Sequence, residues 1–255
     1  MDESFCDTCC VSKHHKLPFS LSSFIADCIF ELIHVDLWGP YRTPIISKQK
    51  YYLTIVDDHS RVTWIYLLLD KEHVKSVILE FLAYVLNHYG VAVKKVRSDN
   101  GTEIVQKECL NIFASHGISH QRSSPKTPQQ NGRVERKHRH LVETARVMRI
   151  HAGLSIKFSG ECILSATHIN NLLPTGVLGW KTPFEILMKR RSNYDHLRVI
   201  GCLCYAPNNF TQGDKFAAKG VRSVLLGYPS FQKAYKLYDL DHSNIIVSRD
   251  VVFKE

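Results

Sequence analysis

Apolar and polar positions alternate at strand spacing from Glu31 onward, and that rhythm predicts the first elements. Leu32 to Leu37 reads as a strand ending near Asp36 and broken by Trp38-Gly39-Pro40. Tyr51 to Asp57 reads as a second strand, Asp58-His59-Ser60 as a turn and Val62 to Leu69 as a third strand. All three are rich in β-branched and aromatic residues. The rhythm then changes. Val74, Val77, Ile78, Phe81, Leu82 and Val85 recur at helical spacing, predicting a helix over about Glu72 to Tyr89 that Gly90 closes. Val91 to Val96 reads as a fourth strand leading to Asp99-Asn100-Gly101. A helix over about Glu103 to His116 and a short fifth strand, Ile118 to Gln121, follow.

Residues 123 to 132 hold two prolines, a glycine and small polar side chains, the composition of a loop. A long, strongly charged helix begins near Glu135, where the helix dipole favours a carboxylate. Glu135, Arg139 and Val142 share one of its faces. Another helix is predicted from Lys157 to Leu172. A short one opens at Thr182-Pro183 with proline at its first position. Beyond Asp195 the texture is again that of strands: Val199 to Ala206, Ser223 to Tyr228, Tyr235 to Asp239 and Ile245 to Phe253. The expected fold class is therefore α/β. A core of mixed five-stranded sheet flanked by helices (29–152) precedes a helical linker (153–196) and a small β-barrel-like domain (197–255).

With 255 residues and 44% hydrophobic side chains, the chain can bury more than one core. A formal charge of +9 suits a polyanionic partner. The eight cysteines are too sparse for a disulfide scaffold and read as reduced, intracellular thiols. The start, Met1-Asp2-Glu3-Ser4, lacks a signal pattern, and no apolar run is long enough for a membrane span, so no membrane partner is expected. Cys6-x2-Cys9 in residues 1–28 supplies half of a zinc site; zinc is not expected on this chain alone.

The candidate chemistry lies in three acids. Asp36 and Asp99 each end a predicted strand, and Glu135 opens a helix. Thirty-five residues separate Asp99 from Glu135 (135 − 99 − 1 = 35). Hard cations such as Mg²⁺ prefer such oxygen donors. Two ions about 4 Å apart can serve phosphoryl transfer. Taken singly, each of these residues would more often be a solvated surface acid. Asp57-Asp58 is the nearest rival pair and reads as a hairpin turn.

With these residues in view, the chain resembles the integrase of Copia-type LTR retrotransposons. The resemblance rests on His34-Val35-Asp36-Leu37-Trp38-Gly39-Pro40, Ile55-Val56-Asp57-Asp58-His59-Ser60-Arg61, Arg97-Ser98-Asp99-Asn100-Gly101 and Pro128-Gln129-Gln130-Asn131-Gly132 running into Glu135-Arg136-Lys137. It continues through Thr182-Pro183-Phe184-Glu185, Gly201-Cys202, Leu226-Gly227-Tyr228 and Ser248 to Phe253, and so covers nearly the whole chain. It implies a ribonuclease H-like core, Asp36, Asp99 and Glu135 as catalytic acids holding Mg²⁺ or Mn²⁺, and a polynucleotidyl transferase. The activity implied is 3′-end processing of element DNA and its joining to target DNA. Element-end DNA and target DNA would be the partners, a homo-oligomer the assembly and the nucleus the site of action, otherwise the cytoplasm; Lys189-Arg190-Arg191 is compatible with nuclear import. Lys126, Gln130, Asn131, Arg133, Lys137 and Arg139 would contact DNA, chiefly its phosphates.

The chain departs from the family pattern at its start, where only Cys6 and Cys9 match a His-His-Cys-Cys zinc module, and at Phe158-Ser159, where relatives have Phe-Trp. Lys233-Ala234-Tyr235 stands where Lys-Gly-Tyr is usual. These departures leave a second expectation open: a truncated or co-opted piece of a larger polyprotein that binds nucleic acid without catalysis. A ribonuclease H is a third reading, which the Gln129-Gln130-Asn131-Gly132 loop and the D-x35-E spacing oppose.

Overall fold

A computed structural model of the chain describes residues 25–99, 101, 104, 106–122, 131–208, 215–230 and 232–255. Cys6, Cys9, Lys126 and Gln130 lie outside the described residues, as does most of the loop before Glu135.

The first sheet has five strands: β1 (Leu32–Trp38), β2 (Tyr51–Asp57), β3 (Thr63–Leu68), β4 (Lys95–Ser98) and β5 (Ser119–Arg122). Their order is β3-β2-β1-β4-β5, antiparallel through β3, β2 and β1 and parallel from β1 through β4 to β5. The sheet is mixed, as expected. Strand alternation decides what each face carries. In β1, Ile33, Val35 and Leu37 pack into the core shared with helix α1 (Val74–Tyr89) and with α2 (Lys107–Ser115). The even residues, His34, Asp36 and Trp38, therefore point to the opposite face. In β2, Leu53 and Ile55 join that first core, while Tyr52 joins a second core against α3 (Gly132–His151) and α4 (Ser159–Leu172). Sequence periodicity alone thus turns Asp36 toward α3. That helix is polar overall but carries one buried stripe: Val134, His138, Leu141 and Ala145.

The fourth strand runs later than expected, Lys95–Ser98 rather than Val91 to Val96. Only these residues pair with both β1 and β5 (Lys95 opposite Leu32 and Ser119). Val91 and Val93 pack against the core from a loop, so their alternation reports burial and not pairing. The Asp57-Asp58 turn is not a solvent-facing one, because both side chains are fully buried. Asp57 accepts hydrogen bonds from the Phe30 amide (2.7 Å) and from the amide and hydroxyl of Ser60 (2.8 and 2.6 Å). Asp58 accepts from the Ala26 amide and His34 Nε2 (both 2.8 Å), from Arg61 (3.4 Å) and from Arg133. Ser159, which stands where relatives have tryptophan, is partly exposed at the helix surface and donates to the Ile156 carbonyl. Its neighbour Gly160 is tightly packed on Ile45.

The second sheet holds β6 (Leu203–Pro207), β7 (Gly220–Gly227), β8 (Tyr235–Asp239), β9 (Ile245–Ser248) and β10 (Val252–Lys254), all antiparallel in the order β10-β6-β7-β8-β9. The predicted strand from Ile245 to Phe253 is thus two strands on opposite edges, separated by residues 249–251. Four residue steps span at most about 14 Å. The edges of a flat five-stranded sheet lie about 19 Å apart. The sheet must therefore curl, which gives the barrel-like form the sequence predicts. A short helix, α5 (Pro183–Met188), begins with a complete capping box between Thr182 and Glu185.

Helix α4 joins the two sheets. It packs on α3 and β3 on one side and on β7 on the other. Ser165 donates to the Leu226 carbonyl, and Lys236 pairs with Glu161 at 2.7 Å. On the same helix, His168 Nε2 lies 2.9 Å from His196 Nε2, and its ring stacks on Tyr228. Burial, and then the neighbouring imidazole, push the His168 pKa down to about 4; burial and Arg198 lower that of His196. His34 is lowered too, by burial against the opposing pull of Asp58. An unfolded histidine titrates near about 6.5. Stability held by keeping these rings neutral is therefore complete above that pH and is lost as pH falls toward 4. The melting temperature is expected to fall between about pH 7 and pH 5, and His168→Gln is expected to flatten part of that slope; calorimetry at the two pH values checks it. No helix among the described residues is long and apolar enough to cross a membrane.

Candidate active site

The parallel pairing of β1 and β4 sets Val35 opposite Ser98. The next residue on each strand is an aspartate, so Asp36 and Asp99 lie side by side at the carboxyl end of the sheet, where ligands bind in α/β folds. Asp99 Oδ1 accepts from the Gly101 amide at 2.9 Å, which shapes the turn after β4. Helix α3 is pinned to the same place from two sides. The buried Asn131 amide reaches the Val35 carbonyl at 3.5 Å, and Arg133 pairs with Asp58. Glu135 follows in the first turn. Its pKa is raised, by partial burial first and then by the charges of Asp36 and Asp99. The three carboxylates therefore share one electrostatic neighbourhood.

Asp36 is itself held. Its Oδ2 accepts from His138 Nδ1 at 2.8 Å, and His138 Nε2 lies 2.5 Å from the Thr54 hydroxyl. Nδ1 is the donor to the carboxylate, so the ring is fixed between Asp36 and the Thr54 hydroxyl. The His138 ring meets Tyr52 edge-on at 4.9 Å. A cavity of about 330 Å³ opens here, lined by Asp36, Glu135, Trp38 and Val142, with Arg139 and Arg146 at its side.

Asp36 and Glu135 line this cavity, and Asp99 neighbours Asp36 at the end of the next strand; carboxylate oxygens are donors that suit Mg²⁺ or Mn²⁺. Among the described residues, no three His, Cys, Asp or Glu side chains already stand as a group able to hold an ion. Asp36, Asp99 and Glu135 would be its holders, with His138 fixing the orientation of Asp36.

Of the residues expected to contact DNA, Arg139 is exposed beside Glu135. Lys137 is half-buried, and burial, with Arg61 nearby, pulls its pKa down to about 8. Arg133 is turned into the Asp58 network, and Asn131 is fully buried. Sequence reasoning did not single out His138, Thr54, Trp38 or Arg146. For His138 there was a signal: it is the one polar residue in the stripe Val134, His138, Leu141, Ala145.

Residues 27–128 match the family described as Integrase core domain, and residues 202–255 match the Retroviral polymerase SH3-like domain. The chain is 36% identical over 250 residues to the Retrovirus-related Pol polyprotein from transposon TNT 1-94 of Nicotiana tabacum, covering 98% of this chain and 19% of that protein. It is 37% identical over 252 residues to the Retrovirus-related Pol polyprotein from transposon RE1 of Arabidopsis thaliana, covering 98% of this chain and 17% of that one. The chain thus spans less than a fifth of the length of these relatives. An integrase core followed by an SH3-like domain, on a chain alike along nearly its whole length to transposon Pol polyproteins, places it in the integrase family of Copia-type retrotransposons.

Proposed function

We propose that this chain carries the DNA strand-transfer chemistry of its family, trimming the 3′ ends of element DNA and joining them to target DNA. The observation that carries the reading is the register of β1 and β4, which sets Asp36 beside Asp99 while Asn131 and Arg133 fix the helix that bears Glu135. In the joining step a 3′-hydroxyl oxygen gives up its proton to solvent and attacks a target phosphorus. A new P–O bond forms, the bond to the target strand's 3′ oxygen breaks, and that oxygen leaves and takes up a proton. When bound, Mg²⁺ or Mn²⁺ steadies the charge on the attacking and departing oxygens. Asp36, Asp99 and Glu135 would hold the cation, and His138 and Thr54 keep Asp36 from turning away. Arg139 and Lys137 take DNA phosphates, with Lys126 and Gln130 adding contacts from the loop; Asn131 and Arg133 serve the same end by anchoring the helix start. Such contacts weaken steeply with salt. The reading places the protein in the nucleus, acting as a homo-oligomer on two DNA partners.

A second reading, a fragment that binds nucleic acid without joining it, draws on Asp36 Oδ2 already being engaged by His138. Incubating the chain with labelled duplex, a plasmid target and Mg²⁺ or Mn²⁺ separates the two. Joined products support the first reading. Binding with neither nicking nor joining supports the second, and cutting of the RNA strand in a hybrid duplex would point to a ribonuclease H.

A further inference from the structure

Trp38 lies two residues beyond Asp36 on the same face of β1 and is 40% exposed, in a strand otherwise largely buried. It is held firmly. Its ring stacks on the buried Tyr52 ring at 5.2 Å and 26°, and Tyr41 packs edge-on against it at 4.5 Å. The turn behind it has little freedom. Gly39 has φ +134°, where a side chain would be strained, and a Cβ there would strike the Lys50 carbonyl and the Tyr51 ring. The Tyr41 amide donates to that same carbonyl at 2.6 Å.

The cavity Trp38 lines is the one that holds Asp36 and Glu135, and Arg139, Glu143 and Arg146 line it as well. A flat aromatic wall, two guanidinium groups and the acids therefore meet in one opening. A protein side chain could cover the tryptophan. The lining itself is not basic, since Asp36, Glu135 and Glu143 stand beside Arg139 and Arg146. The overall charge of +9 nevertheless brings a polyanion to the chain, and the two guanidinium groups offer it local phosphate contacts. A base inside a duplex is stacked on its neighbours and shows only its edges. A ring wall can take a base only when that base is unpaired and unstacked.

We propose that Trp38 is a stacking platform for an unpaired base of the DNA strand brought to the acids. The inference rests on the strand-transfer reading and names the state of its substrate: a duplex whose end, or reacting step, is locally opened. Phosphates flanking the unpaired base would meet Arg139 and Arg146.

Equilibrium binding tests this without turnover, in chelator, with two duplexes of one sequence. One is blunt. The other ends in two unpaired nucleotides, one of them 2-aminopurine. Wild type is expected to prefer the opened end and to quench 2-aminopurine emission on binding. Trp38→Leu should weaken binding to the opened end by about 5- to 140-fold and leave the blunt end nearly unchanged, while Trp38→Phe should keep most of the preference. Equal losses on both duplexes, or no loss on either, would overturn the proposal. If Trp38→Leu does not melt cooperatively, wild type against Trp38→Phe decides; unchanged 2-aminopurine emission with wild type overturns the platform by itself. A chain that joins DNA but shows no such preference loses this inference alone. One that shows the preference and joins nothing loses the joining reading alone.

Discussion

Asp36→Asn and Glu135→Gln are each expected to abolish joining while leaving the fold intact. Removing one carboxylate takes away a negative oxygen donor at the point where the reacting oxygens develop charge. Stabilisation of that kind is worth several kcal/mol, and each 1.36 kcal/mol is about tenfold in rate, so the loss should exceed about a thousandfold. The fold should not follow. Glu135 lies at the surface, and its raised pKa records partial burial first and then repulsion from Asp36 and Asp99, so neutralising it relieves a cost. In Asp36→Asn the new side-chain oxygen can still accept from His138, whose other nitrogen stays on Thr54. A gel of joined products beside a thermal melt checks both parts. Either variant joining within about tenfold of wild type would remove that acid from the chemistry.

Asp58→Ala is expected to cause the largest loss of stability among the acid substitutions. Its carboxylate is fully buried and carries four partners: the Ala26 amide, His34, Arg61 and Arg133. Burial raises a carboxyl's pKa, yet the bonds from His34, Ala26 and Arg133 hold Asp58 well below the usual carboxylate range. Deleting one member of a buried ion pair costs about 3–5 kcal/mol, because the cations left behind stay desolvated. In a chain of this size that lowers the melting temperature by about 6–20 °C. Arg133 also ties the start of α3, so the helix carrying Glu135 should loosen before the sheet does. Asp70→Ala is the contrast. Asp70 pairs with His73 with about half of each side chain exposed, so the change should move the melt by little. Similar melts for the two variants would mean that the Asp58 network does not hold the fold.

What could be read from the chain follows from which interactions are local. The alternation from Ile33 to Trp38 says which side chains face α3, because strand periodicity is a property of neighbouring residues. Gly90 as a left-handed helix end and Thr182 with Glu185 as a capping box are likewise short-range signals, and the structure contains both. The acids of the candidate site were legible through their places in such elements. The role of Asp58 was not. Asp57-Asp58-His59-Ser60 has the composition of an exposed turn, and only partners up to 75 residues away along the chain bury it. His138 was hidden within a basic run, and its contact with Thr54 spans 84 residues. The late start of β4 and the split of the last predicted strand have the same cause. Pairing partners set strand ends, and local propensity does not name the partner.

Whether Asp36, Asp99 and Glu135 act as one cation site is tested most directly by titrating Mn²⁺ into the purified chain in a calorimeter, wild type beside Glu135→Gln. A shared site predicts saturable binding by wild type, competition by Mg²⁺, and binding by the variant that is sharply weakened although its melt is unchanged. Superimposable isotherms for the two proteins would contradict it.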